Sequence, residues 1–444
     1  MLCILVLSCC DSSGCFQRAS LRQHVLAHYR LVDRDTLKYQ AALFLLDNMK
    51  YHTTGEELIS VPDSLDLYRR SVDSMYYALV KDASMDNMPW DSINSLKEKW
   101  HTYIKEHPLP DATVMRSPQA DADIVDAVFL IEHIDNAFNR WRTSKYAKGL
   151  TFEDFKELLL PYRCVNDYGF LQSGAELHEM FGKYLNTCKS KNLPDFVDFY
   201  NTHIGNLRDM GGKTTRKETA GVYDLYTRDF HDCVDIASYG CNILRACGLP
   251  TAVEYNICYR SYEGRHYMVA VADSGRWKVF NPESSLPVEN SDGFLESANV
   301  YRTTFAAQRN TPYFLHAEGE FVPPILNDPC IKDVTSRLRA TTRLSLPFKE
   351  NTTNHLAYLA TFNRCSEGLM PVTWGEIKEN KVTFEYVIPG LLYFPVYYPG
   401  EVYQSFGEPF YVTVEHGRSV IHPMPNVCTS AEKGNLILTR KFPR

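Results

Sequence analysis

The chain has 444 residues, of which 44% are hydrophobic and 23% are charged, so its composition excludes a wholly disordered protein. Its 47 basic and 54 acidic side chains give a formal net charge of −7, which argues against a nucleic-acid-binding surface. The length predicts roughly three domains at about 150 residues each, and the sequence lacks the run of roughly 18 apolar residues that would predict a transmembrane helix.

The thirteen cysteines do not form a metal or redox motif. No two of them stand in a Cys-x-x-Cys pair, which removes the main sign of a zinc ribbon or a thioredoxin-like site. Their number is odd, so at least one sulfur lies outside any intramolecular disulfide. We therefore expect cysteines with separate roles rather than a disulfide framework.

Residues 1–17 are predicted to be a signal and tether. An apolar run from Leu2 to Leu7 is followed by Ser8 and Cys9, and this arrangement resembles a bacterial lipoprotein signal. The resemblance implies that Cys9 is lipidated, with Cys10 as the alternative. The run is short and no basic residue precedes it; a start codon placed too late would explain both departures. A buried N-terminal strand is the other interpretation.

Residues 18–205 are predicted to form a helical domain. Segments 21–32, 64–83 and 91–107 have helical patterns, and apolar residues of 122–144 recur at steps of three and four. Thr151 is the predicted N-cap of a further helix. The apolar stripe of 122–144 consists of Ile124, Val125, Val128, Phe129, Ile131, Ile134, Phe138 and Trp141.

Residues 206–325 are predicted to form an α+β core that carries the chemistry. The polar loop at 211–219 lacks the spacing of a phosphate-binding loop, so we exclude nucleotide binding there. Residues 231–250 predict a helix of about four turns that is capped by Gly248 and cannot continue past Pro250. Cys233 lies near its N-terminus, where the helix dipole stabilises a thiolate.

Three strand-like pieces follow this helix. If Ala272 faces Trp277, the second and third pieces form a hairpin with Met268 opposite Asn281. His266 and Asn281 then lie diagonally on one face, within side-chain reach. Turns of two or four residues share this register, whereas a turn of three residues would reverse the face.

These residues match the needs of amide-bond chemistry. A thiolate attacks the carbonyl, an imidazole takes the thiol proton and passes it to the leaving amine, and a third group fixes the ring tautomer. We predict Cys233, His266 and Asn281 for these roles. His231 is a rival base, but it lies only two residues before Cys233 and such neighbours seldom align with the thiol.

The segment 231–284 resembles the transglutaminase-like core of the papain-related cysteine hydrolases. The slots of that family are filled in order by Cys233, Ala237, Arg245, Gly248-Leu249-Pro250, His266, Trp277 and Asn281-Pro282, where the last slot has Asn instead of Asp. The resemblance implies a papain-like α+β fold and catalysis through a thioester. Asn carries no charge to stabilise the imidazolium, although its carbonyl can still orient the ring.

The resemblance leaves the oxyanion hole open. The Cys233 backbone N–H is the natural first donor, and Tyr226 and His231 are candidates for the second. Trp277 is expected to pack beside the triad. Neither a metal nor an organic cofactor is expected, because there is no HExxH or comparable ligand pattern.

A second, less specific resemblance concerns the helical segment. Residues 131–163 are similar to the leader of transglutaminase-like lipoproteins of the Bacteroidetes group. This agrees with lipidation at Cys9 and implies a bacterial protein that a lipid anchor holds at the outer membrane or cell surface. Membrane contact is therefore expected through the anchor.

Residues 326–444 are predicted to form a β-sandwich. Period-two patterns begin at Leu338, Ala340 and Thr342, and turn residues such as Pro389-Gly390 and His416-Gly417 separate the later strands. The sequence stops at Arg444 directly after a strand-like segment, so we expect that the natural chain continues.

The overall expectation is a multidomain α+β surface enzyme, a cysteine peptidase, amidase or acyl transferase. Its substrate would be a peptide, a protein or a glycopeptide. The rival hypothesis is a non-catalytic surface binding or scaffold protein with a degenerate transglutaminase-like fold, favoured by Asn281 and by the 13% aromatic content. A metal-dependent hydrolase is a third possibility, which predicts loss of activity with a chelator.

Overall fold

The chain is an α+β protein with helices and antiparallel sheets, as a computed structural model shows. The structure describes residues 12–57, 67–68, 71–72, 74–75, 78–79, 87, 89–107, 115–168, 174–187, 233–258, 265–273, 275–280, 298–363 and 368–424.

The chain divides into two compact units. The first comprises residues 1–251, 271–277 and 282–285, and the second comprises 252–270, 278–281 and 286–444. The boundaries of the four predicted segments remain a prediction.

The first unit is mainly helical, as predicted for residues 18–205. Its described helices are α1 (Ser12–Ala27), α2 (Thr36–Asn48), α3 (Trp90–Glu106), α4 (Asp121–Ile124), α5 (Ala127–Thr143), α6 (Phe152–Leu158), α7 (Gly174–Thr187) and α8 (Cys233–Ala246). Among the described helices, none combines the length and apolar character needed to cross a membrane.

A three-stranded sheet lies among these helices, where the sequence predicted helices only. Its central strand, β1 (Thr53–Glu57), pairs antiparallel with β2 (Met115–Ala120) and parallel with β3 (Asp167–Tyr168). Polar side chains dominate β1 and β2, so no hydrophobic alternation indicated strands there. The pairing joins residues more than fifty positions apart.

The predicted helix at 122–144 is broken once. Asp126 adopts an extended conformation, and its carboxylate accepts the Phe129 N–H at 2.8 Å, so α5 begins with an N-cap there. Val128, assigned to the apolar stripe, is 65% exposed. The buried face of α5 instead consists of Leu130, His133, Ile134, Ala137 and Phe138.

The N-cap predicted at Thr151 is confirmed. Its hydroxyl accepts the Asp154 N–H at 3.1 Å and donates to the Asp154 carboxylate at 2.7 Å. Phe155 and Leu158 then bury the inner face of α6.

A five-stranded sheet follows α8 in the chain. Its order is β6-β5-β4-β7-β8, so the chain folds as a hairpin at β5 and β6. Its strands are β4 (Thr251–Asn256), β5 (His266–Asp273), β6 (Arg276–Phe280), β7 (Val300–Thr303) and β8 (Ile331–Asp333). Two short helices, α9 (Pro312–Leu315) and α10 (Thr335–Leu338), flank β8 in the chain.

The C-terminal region is a single curled sheet that closes nearly into a barrel, rather than the predicted sandwich. Its order is β16-β15-β13-β10-β11-β12-β9, with β14 beside β13. The end strands approach each other: the Ser419 hydroxyl on β16 donates a hydrogen bond to the Arg343 carbonyl of β9 at 3.3 Å. The strands are β9 (Thr342–Pro347), β10 (Leu356–Asn363), β11 (Gly368–Lys378), β12 (Lys381–Val387), β13 (Leu392–Tyr397), β14 (Gln404–Ser405), β15 (Phe410–Glu415) and β16 (Arg418–Pro423).

The start of this sheet differs from the prediction. Leu338 ends α10 and Ala340 precedes β9, so the predicted period-two segment forms a strand only from Thr342 onward. The turn at His416-Gly417 is confirmed: both residues have positive φ, as a tight hairpin between β15 and β16 requires.

Candidate active site

The described part of α8 begins with Cys233, and its course to Ala246 agrees with the helix predicted within residues 231–250. The residue is half-buried. The first N–H groups of a helix have no partner within it and carry the positive end of the helix dipole. Stabilisation of the Cys233 thiolate by these groups remains a prediction.

The opposite end of α8 is closed by Gly248, as the sequence predicts. The Gly248 N–H donates to the Arg245 carbonyl at 2.9 Å, and the Leu249 N–H donates to the Leu244 carbonyl at 2.9 Å. This pair of hydrogen bonds is a Schellman motif. Gly248 has φ of +84°, and a Cβ atom there would lie 2.5 Å from the Ser144 Cβ, so conformation and space both require glycine.

Arg245 fixes the last turn of α8. It is buried, and its guanidinium donates to three backbone carbonyls, those of Thr251 at 2.8 Å, Arg163 at 2.8 Å and Glu157 at 3.2 Å. The side chain thereby joins α6, the segment after it and the start of β4 to the helix that begins with Cys233. Sequence reasoning identified Arg245 as a family slot but missed this role, because two of the three carbonyls lie more than eighty positions before it in the chain.

Two further cysteines, Cys241 and Cys247, lie within α8 and at its C-terminal cap. Burial raises the pKa of Cys241, and a hydrogen bond with Cys164 adds to the rise. Burial also raises the pKa of Cys247, although that residue retains some exposed surface. The sequence predicts core positions for Cys241, Cys247 and Cys258; Cys241 and Cys258 are buried, whereas Cys247 is only partly buried.

His266 is the first residue of β5 and is half-buried. Its strand lies between β6 and β4, so the predicted hairpin of β5 and β6 is confirmed. β5 ends at Asp273 and β6 begins at Arg276, which leaves a connection of two residues. This is one of the turn lengths for which we predicted that Ala272 faces Trp277.

The remaining predicted residues are placed as follows. Trp277 lies in β6 and is half-buried. Asn281 follows the last residue of β6 and lies outside the described residues, as do Tyr226, His231 and Cys9. Cys233 and Trp277 belong to the first unit and His266 belongs to the second. The meeting of thiol, imidazole and carboxamide therefore remains a prediction.

A buried histidine of the first unit was missed by sequence reasoning. His133 lies on the inner face of α5, and its Nε2 donates to the Leu160 carbonyl at 2.6 Å. Since a carbonyl only accepts, the neutral ring carries its proton on Nε2. Burial lowers the pKa of His133 to about 4. A polar residue within the apolar face of α5 was the available signal.

No family model matches the chain, and no curated protein matches it either. The resemblance of residues 231–284 to the transglutaminase-like superfamily therefore remains a prediction based on those residues. Within the described part of the chain, His, Cys, Asp and Glu side chains form no group of three or more that could hold a metal ion.

Proposed function

We propose that the protein is a cysteine hydrolase of the transglutaminase-like type, which cleaves or transfers amide bonds in peptides, proteins or glycopeptides. The observation that carries the proposal is the half-buried Cys233, the first described residue of a helix that runs to Ala246. His266, at the first residue of a strand in the sheet that follows, is the proposed base.

The proposed reaction proceeds through a thioester. The imidazole of His266 takes the thiol proton, and the thiolate of Cys233 attacks the amide carbonyl carbon. The tetrahedral intermediate then expels the amine, which receives the proton from the imidazolium. Water, or an acceptor amine, attacks the thioester in turn and regenerates the thiol.

The hydrogen bonds that fix the helix carrying Cys233 support its role as a nucleophile. A nucleophile needs a fixed position, because small misplacements of reacting atoms are costly in rate. Arg245 and the Gly248 cap hold the far end of the helix by hydrogen bonds to several chain segments. The Cys233 N–H at the helix start is the proposed first oxyanion donor.

Asn281 is the proposed third member. Its carbonyl would accept the second ring N–H of His266 and keep the imidazole in the tautomer that can receive the thiol proton. An Asn281→Asp variant tests this role, since a carboxylate there stabilises the imidazolium more strongly. We expect activity to be retained or increased and its pH profile to extend to higher pH.

A thiol-reactive, amide-mimicking probe tests the proposed nucleophile. Wild-type protein should be labelled, and Cys233→Ala should lose labelling by at least about a hundredfold, because the thiolate is the reacting group. Cys247→Ala is the matched control at the other end of α8, where burial raises the pKa of the thiol. Equal labelling of wild type and Cys233→Ala would refute the enzymatic proposal.

A non-catalytic surface binding protein is the second candidate. Asn281 in the slot of an acidic residue favours it, and so does a polar groove on the second unit that is described below. This candidate predicts that Cys233→Ala retains all ligand binding and that no hydrolytic or transfer product forms with either protein.

We further propose that Cys9 carries a lipid that holds the protein at the bacterial cell envelope. Expression in a bacterium that is fed radiolabelled palmitate tests this. Wild-type protein should incorporate label and fractionate with membranes, whereas Cys9→Ala should not. If Cys9→Ala still incorporates label and Cys10→Ala does not, Cys10 is the lipidated residue.

A further inference from the structure

A groove of about 340 Å³ crosses the outer face of the curled sheet in the second unit. Its floor is formed by β11 and β12, and its wall by β8 and the chain around Asn310. The volume lies at the lower end of the range for small-ligand sites, roughly 300 to 1,000 Å³. The groove therefore suits a short ligand segment rather than a folded partner.

The strand register determines which side chains form the floor. Glu376 pairs with Thr383, and Lys378 pairs with Lys381. Val382 and Phe384, which alternate with the floor residues on β12, are buried on the inner side. β12 has a paired strand on each side, so its main chain is already hydrogen-bonded. A ligand here must be recognised by side chains, because β12 has no free edge to which a peptide could add as a further strand.

Trp374 provides a rigid flat surface beside these residues. Its indole stacks on Tyr301 with ring centroids 5.8 Å apart, and its Nε1–H donates to the Asn310 carbonyl at 3.1 Å. Tyr301 is fully buried and donates to the Val372 carbonyl at 2.7 Å. The indole also borders the groove, so the ring is held in place before a ligand arrives.

The charges of the groove do not balance. Glu376 pairs with Lys378 at 2.8 Å and Glu385 pairs with Arg343 at 3.2 Å. Lys332 and Lys381 are exposed and form no ion pair with the described residues. The groove therefore offers adjacent donors and acceptors together with two ammonium groups that form no ion pair with the described residues.

The remaining acid of the groove is already occupied. Asp333 accepts the Thr335 N–H at 2.8 Å and the Asn299 side-chain amide at 3.0 Å. Asp333 forms no ion pair with the described lysines, and burial raises the pKa of its carboxyl. The unmatched positive charge of the groove is thus available to a ligand.

We propose that this groove binds an acidic saccharide, a chain of sugar rings that carry carboxylates. The hydroxyl groups of a sugar can donate hydrogen bonds to the glutamates of the groove and accept hydrogen bonds from its lysines and arginine. A ring lies against the indole of Trp374, and carboxylates pair with Lys332 and Lys381. The site is independent of the Cys233 chemistry.

Titration calorimetry with three probes tests the proposal on the full chain. The probes are a galacturonic acid tetramer, its uncharged methyl ester and a glutamic acid tetramer, which carries carboxylates without sugar rings. We expect the galacturonic acid tetramer to bind at least tenfold more tightly than the other two, and its binding to weaken with added salt. Absence of binding, or equal binding of the glutamic acid tetramer, would overturn the proposal.

Variants locate the binding. Lys381→Gln should weaken binding of the galacturonic acid tetramer about tenfold, as expected for the loss of one charge-assisted hydrogen bond. Lys349→Gln is the matched control, since Lys349 is also exposed but follows β9 and does not line the groove. Equal weakening by both variants would contradict the assignment. Lys381→Gln should leave probe labelling at Cys233 unchanged, which separates this proposal from the enzymatic one.

Discussion

Among the described residues, Asp121 in the first unit and Glu254 in the second are completely buried carboxylates, and their charges are compensated differently. In the first unit Asp121 faces Arg163, which is itself only 1% exposed; their atoms are 2.7 and 2.9 Å apart, and Tyr162 adds a hydrogen bond at 2.9 Å. In the second unit Glu254 contacts Arg302 and Arg337, whose side chains are 13% and 22% exposed. One ion pair is sealed from water, and the other reaches it.

This difference in exposure predicts how much stability each unit loses when one residue of its buried ion pair is replaced. A buried charge without its partner bears the full desolvation cost, whereas a partly exposed arginine can be rehydrated. The first unit should therefore be more sensitive to such substitutions than the second.

The largest effect is expected for Asp121→Asn. It leaves the Arg163 guanidinium buried without its counter-ion and should lower the free energy of unfolding by about 3 to 5 kcal/mol. Denaturant unfolding measures this. The double variant Asp121→Leu with Arg163→Met removes both charges and should be the more stable of the two. If it is the less stable, the desolvation argument fails.

Lowering the pH should change the stability of the two units in opposite directions. His133 has a folded pKa of about 4 against its usual 6.5, so the unfolded state binds more protons between these values. The stability contribution is complete above pH 6.5 and declines by roughly 3 kcal/mol as the pH falls to 4.

The second unit should respond in the opposite sense. Burial raises the pKa of Asp328 and Asp333, so the folded state holds protons that the unfolded state has released. Lowering the pH through these folded pKa values therefore stabilises this unit. Amide hydrogen exchange at several pH values can follow each unit, and parallel loss of protection in both would contradict the expectation.

Glu254→Gln should destabilise the second unit by about 2 to 3 kcal/mol, less than Asp121→Asn, because both arginines can turn toward water. Denaturant unfolding of the two variants under one condition gives the comparison. An equal or larger loss for Glu254→Gln would show that the partial exposure of Arg302 and Arg337 does not matter.

The smallest effect is expected at the surface of the first unit. Thr151→Ala removes the N-cap of α6 and should cost about 1 kcal/mol. Thr151→Ser keeps the hydroxyl and should remain within a few tenths of wild type. Thermal unfolding of both variants checks this. Equal losses would assign the effect to the methyl group rather than to the cap.

Local signals in the sequence predicted local structure well. The caps at Thr151 and Gly248 depend on neighbouring residues, and the structure confirms them. The break at Asp126 was missed because apolar residues continue on both sides of it, so the periodicity concealed the cap.

Pairings between distant segments could not be predicted. Thr54 pairs with Asp167 and Thr53 with Ala120, and nothing in these polar segments identifies the partner. Period-two patterning showed that one face of the C-terminal strands is buried, but it cannot distinguish two packed sheets from one sheet that curls. For the candidate site, the chain predicts residue types and strand ends, whereas the distance from thiol to imidazole depends on tertiary structure.

The carbonyls bound by Arg245 also constrain the order of assembly. A buried guanidinium is unfavourable until its acceptors are in place, and those acceptors belong to Glu157, Arg163 and Thr251. Two of them leave the ribosome before Arg245 does, so a nascent chain can form that binding surface first. We expect the helix that carries Cys233 to dock onto this region once it has folded, so that the thiol is fixed only after part of its scaffold exists.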